Sequence, residues 1–280
     1  MDKTKSKKNR NINMKKIILI LLVGFVGMNT PVMAIDGVKI ISKTKDVSSG
    51  SVSNTTIYMT ENSVAIENKG GNDNSSFIFN SEKEEFTYVD HAKKEYYYFD
   101  KTAMQQLKQQ IQMMVMMMKQ FEASMSDEQK KKLGKFMNKD APPMEFNAVG
   151  SSTKVGKWNA QKYEGISEGV KATEMYIASF KTIGIAQDKF QVMDKLIAYF
   201  QSNLSEIATF LPTGGSFSQI GFDDSSPVFK EGIPVKTVSY KSDTADNENV
   251  VESINQESFS DALFKAPSGY SKKQINMKMK

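Results

Sequence analysis

From Ile35 to Asp100, apolar residues alternate with polar ones in short runs, the two-residue period of half-buried strands. Val38 with Ile40, the run over 55–59, Val64 with Ile66, Phe77 with Phe79, and Phe86 with Tyr88 each mark one face of a strand. Polar turns separate them: a serine-rich stretch over 48–53, Gly70-Gly71-Asn72-Asp73-Asn74, and residues 90–93. Tyr96-Tyr97-Tyr98-Phe99 is aromatic on both faces, which predicts a strand covered on both sides.

The period then changes to three and four. Met104, Leu107, Ile111, Met114, Met118, Phe121 and Met125 form one helical stripe. Ser126 with Gln129 reads as a capping box for a short second helix reaching about residue 138, closed by Ala141-Pro142-Pro143. Strand character returns at Trp158, Ala160 and Tyr163 and again over 173–180. A second long stripe follows at Phe190, Met193, Ile197, Phe200, Leu204, Ile207 and Leu211, stopped by Pro212-Thr213-Gly214-Gly215. Two more strands are predicted over 235–240 and 250–254 across a polar turn at 242–248. Phe259, Leu263 and Phe264 predict a turn of helix, and the lysine-rich tail 271–280 is expected to fray. Many short antiparallel strands with helical insertions at about 101–139 and 187–211 make an α+β chain, its helices on one face of a curved sheet.

Charge alters this picture only at the start. Seven of the 37 Lys and Arg residues and one of the 32 Asp and Glu residues lie in residues 1–34, which leaves 30 basic against 31 acidic, a net of −1. Arg10 is the only arginine, so the remaining body lacks the side chain best suited to phosphate and guanine, and nucleic acid is not an expected partner. The leading segment has lysines up to Lys16, an apolar run over 17–28, Pro31, and Val32-Met33-Ala34. That is the layout of a secretory signal cleaved after Ala34, and the apolar run is short for a bilayer span. Met14 is an alternative start. The expected product is exported, to periplasm or exterior, and soluble; an uncleaved anchor is the other reading.

No cysteine is present, and His91 is the only histidine. Disulfides, thiolate nucleophiles and multi-histidine metal sites are thereby excluded. His91 lies in a predicted hairpin turn and reads as a solvated turn residue. No carboxylate pair and no phosphate loop is placed by any motif, so neither an enzyme, a cofactor nor a metal site is expected.

The segment 111–118, IQMMVMMM, is the most unusual in the chain. Ile111, Met114, Val115 and Met118 follow the stripe, Met113 and Met116 fall opposite, and Met117 lies at the flank, so two turns are apolar nearly all round. Three readings stay open: a helix enclosed between the sheet and a neighbouring helix, a lid touching an apolar ligand, and a thioether Cu(I) site. The strand aromatics likewise fill a core or line an open face. The lid reading makes Met113, Met114, Met116, Met117 and Phe121 the candidate ligand-binding residues.

Three stretches resemble exported bacterial proteins with a LolA/LolB-like, lipoprotein-carrier type of domain: 63–98; Trp158-Asn159-Ala160-Gln161-Lys162-Tyr163-Glu164-Gly165 with Glu174-Met175-Tyr176-Ile177-Ala178; and Gly232-Ile233-Pro234-Val235-Lys236 leading to Ile254 and residues 264–270. The resemblance implies one domain over 35–270, a strongly curved, half-open antiparallel β-barrel covered by two helical insertions. It also implies a lipid or acyl-chain ligand and transient membrane contact. The lipoprotein carrier fastens its lid with an arginine, which residues 35–280 lack. An envelope protein docked by the methionine helix, over a filled interior, is the alternative.

Overall fold

The computed structural model describes residues 34–70, 73–122, 126, 144–204, 226–241 and 243–273. Residues 1–33 of the expected signal segment 1–34, the short helix after Ser126, the end of the second stripe at Ile207 and Leu211, and the glycine pair 214–215 lie outside the described residues.

Twelve strands form one sheet. The first meander is β1 (Ala34–Asp46), β2 (Val52–Met59), β3 (Ser63–Gly70), β4 (Asp73–Asn80), β5 (Glu85–Asp90) and β6 (Glu95–Phe99). Helix α1 (Lys101–Glu122) follows, then β7 (Glu145–Val155), β8 (Trp158–Ser167) and β9 (Val170–Ala178). A short α2 (Phe180–Ile183) and a 3-10 turn (Gln187–Phe190) lead into α3 (Gln191–Leu204), and β10 (Ile233–Lys241) and β11 (Thr244–Ser260) complete the second meander. After a 3-10 turn (Asp261–Phe264), β12 (Ser271–Lys273) ends the order β12-β6-β5-β4-β3-β2-β1-β11-β10-β9-β8-β7. The neighbours are antiparallel except β12, which runs parallel to β6. The order is linear, with β12 and β7 at its two ends, so the sheet does not close.

The two meanders are joined along β1 and β11, paired from Ala34 opposite Ser260 to Asp46 opposite Asn247. The main core lies on the face that receives the described α-helices: Val38, Ile40, Val64, Phe79, Trp158 and Ile254 meet Met104 and Leu107 of α1 and Val192, Met193 and Leu196 of α3 within one cluster. Two smaller clusters occupy other positions on the strands. One gathers Ala65, Ile78 and Val89 under Phe264 and Tyr270, and the other gathers Tyr163, Met175 and Ile177 with Val228. The aromatic strand β6 accordingly divides, Tyr97 packing on the main core and Tyr96 on the small cluster with Ile78.

Three expectations need correction, and one strand was missed. Strand β7 was not predicted, because its side chains are almost all exposed and its sequence is polar. The polar stretch 244–248 is strand, continuous with 250–254 in the 17-residue β11, and Asp243 takes φ 63° in the tight turn before it. The buried face of α3 keeps Met193 of the expected stripe, after Phe190 in the turn before it, but widens onto Val192, Leu196 and Tyr199, while Ile197 and Phe200 are half-buried. The tail does not fray from residue 271. Ser271 N–H donates to Lys94 O at 3.0 Å, Lys272 lies 4.5 Å from the Tyr98 ring centre, and Lys273 pairs with Glu95 at 3.1 Å. Residues 274–280 lie outside the described residues.

Candidate functional site

Helix α1 starts where β6 ends, with Asp100 as its cap: the Ala103 N–H donates to Asp100 Oδ1 at 2.8 Å. The first two turns then sink into the core, Met104 and Leu107 being buried. Lys108 Nζ donates to Ser202 O at 2.8 Å, a cation on the last carbonyls of α3, which ties the root of α1 to its neighbour. Twenty-two residues give α1 a reach of about 33 Å.

Beyond that root the exposed face changes character. Met113, Met116 and Met117 are 53%, 58% and 38% exposed. Among the described residues, neither sheet nor helix encloses these three. The side chains of Ile111, Met114, Val115, Met118 and Phe121 lie outside the described ones. Ala34 opens β1, opposite Ser260.

Of the strand aromatics, Phe77, Phe79 and Phe86 meet α3. Phe77 and Phe86 lie 4.2 Å apart between ring centres, Phe86 and Phe99 stack at 4.7 Å, and Phe200 stacks on Phe77 at 5.5 Å. Tyr199 lies 5.2 Å from Phe79. Its hydroxyl is buried, with no hydrogen-bond partner among the described residues. Burial first, then the charges of Glu84 and Asp100, push it up to about 12.

His91 is not the freely solvated turn residue that its sequence context suggests. It occupies the predicted turn, but the half-buried ring joins Ser76 Oγ through Nε2 (2.6 Å) and the Tyr270 hydroxyl through Nδ1 (3.1 Å). In a neutral ring one nitrogen donates and the other accepts, so the two hydroxyls take opposite roles. Ser76, Tyr270 and His91 are brought together from three places in the sequence that share no motif, and sequence reading carried no signal for it. The same holds for Glu174, which is buried between Lys162 (3.0 Å) and Lys171 (2.9 Å). Burial raises this carboxyl, but hydrogen bonds from Lys171, Lys162 and Tyr240 outweigh it and bring it to about 2. Tyr163 donates to Glu231, and burial with that acid pushes the phenol up to about 12. Among the described residues, no three His, Cys, Asp or Glu side chains gather as a metal site. Nor is any described helix long and apolar enough to cross a membrane.

No family model matches the chain, and no curated protein matches it. Among solved structures, an uncharacterized conserved protein from Thermus thermophilus aligns over 92% of this chain and 98% of its own, at 8% identity and a TM-score of 0.43.

Proposed function

We propose that this chain is an exported, non-catalytic carrier of a lipid-like ligand, held on the helix-covered face of a curved sheet beneath α1. The observation that carries the reading is the division of α1 along its length. Its root is buried through Met104 and Leu107 and tied to α3, while Met113, Met116 and Met117 face outward. A helix tied down at its root and exposing three methionines among glutamines suits a cover that meets an acyl chain or a membrane, and methionine adapts to either. Burial alone supplies about 0.8 kcal/mol per methylene, so a chain of a dozen carbons needs no charged contact. Cleavage after Ala34 fits the same reading, since it removes one residue of β1 and leaves Ile35 opposite Phe259.

A second reading is favoured by the aromatic packing between α3 and β4 to β6. Rings at 4.2–5.5 Å fill that part of the interior, as in an envelope interaction module whose methionine face docks a protein. The decisive experiment replaces Met113, Met116 and Met117 together by Gln and measures co-purifying lipid by mass spectrometry of organic extracts. The carrier reading expects stoichiometric lipid in the parent and several-fold less in the triple variant, with unchanged thermal stability. A lipid-free parent sinks the carrier reading and leaves the interaction module.

A further inference from the structure

Three hydroxyls among the described residues are buried with no hydrogen-bond partner, those of Ser81, Tyr199 and Ser239. Tyr199 stands apart because it is 7% exposed, belongs to the main core, and projects from a helix onto the aromatic wall beside Phe79. An oxygen withdrawn from water with no acceptor destabilises the protein that contains it. Its place in the fold suggests what offsets that cost. Glu84 and Asp100, the acids whose charges act on this phenol, flank the start of α1, where the proposed cover is rooted. Lys101 pairs with Glu84 at 3.1 Å, and Asp100 already accepts the Ala103 N–H. An anionic head group placed here meets Asp100 and a Glu84 that already holds Lys101, a net negative surrounding, whereas a neutral carbonyl oxygen accepts the phenol's hydrogen bond without adding charge.

We propose that the Tyr199 hydroxyl is the polar fixing point of the ligand, donating to the carbonyl of a neutral acyl ester rather than to a free carboxylate. This rests on the carrier reading. Burial and the two acids keep the phenol protonated across the physiological range, so the donor is permanent.

Tyr199→Phe removes only the oxygen. The test displaces the neutral, oxygen-free dye N-phenyl-1-naphthylamine with methyl decanoate, decanoate or decane, using protein expressed from the full 280-residue chain. The expected result has three parts: methyl decanoate binds the parent more tightly than decanoate does; Tyr199→Phe weakens the ester about three- to tenfold and leaves decane unchanged; and the ligand-free variant melts no lower than the parent. Equal ester affinity in parent and variant overturns the fixing point while the carrier reading stands. A lower melting temperature for the variant shows that the hydroxyl is already satisfied, as by an ordered water, and also overturns it. Failure of the dye and all three compounds to bind the parent overturns the carrier reading itself.

Discussion

Gly37 has no room for a side chain. A Cβ there would lie 2.0 Å from Met59 O and 2.7 Å from the Phe259 ring, and the first of these is backbone of the neighbouring strand. Gly37→Ala is therefore expected to destabilise by about 3 kcal/mol, at the upper end for overpacking, measured as a lowered denaturant midpoint. A midpoint unchanged from the parent would mean that β1 and β2 separate more easily than their pairing indicates. Glu174 governs a different variable. Its carboxyl falls from the ordinary 4.5 to about 2 in the folded chain, so the folded state holds the proton less readily than the unfolded state. The stability it contributes is complete above about pH 4.5 and is lost as pH drops toward 2. Glu174→Gln removes that contribution and leaves Lys162 and Lys171 without their shared anion, costing about 1–3 kcal/mol at pH 7. Melting temperature followed from pH 6 to pH 2.5 should fall less steeply in the variant than in the parent; parallel curves would refute this.

At the scale of elements, β12 is the least self-sufficient piece of the sheet. Its three residues are all exposed, and its position depends on the bridge from Ser76 through His91 to Tyr270. His91→Ala should leave the β1–β5 meander intact and speed amide exchange at residues 271–273 by tenfold or more; protection equal to the parent's would show that the Lys273–Glu95 pair and the Ser271 N–H suffice. Strands whose aromatics recur at every second position, such as Phe77 with Phe79 and Phe86 with Tyr88, were legible from that period, the four rings packing in or against the main core. β7 was not, since an exposed edge strand imposes no such alternation. The α3 face was legible in part, at Met193 and Phe200; Tyr199 lies beside that stripe, and only its contact with Phe79 places it in the core. For α1 the position of Met113 and Met116 off the stripe that begins at the buried Met104 and Leu107 was readable from spacing alone, whereas the tie from Lys108 to α3 joins residues 94 apart in the sequence and left no trace in it.

Across the whole molecule, the class was legible as α+β and the extent of the sheet was not, because the pairing of distant strands leaves no mark in local periodicity. The expected barrel shape rested on resemblance, whereas the strand order is linear and open. That order has a physical consequence through β1 and β11, the longest partnership in the sheet, which unites residues 34–46 with residues 247–260. A chain emerging from its N-terminus, whether from a ribosome or through a membrane pore, can zip β1 to β6 as successive hairpins. The free side of β1 then stays unpaired until β11 arrives, when nearly the whole chain has emerged. For that interval the strand carrying Val38 and Ile40 is an open template for any extended peptide nearby. Its protection comes last, so escort by a holding chaperone matters most for this protein before Ser260 is free.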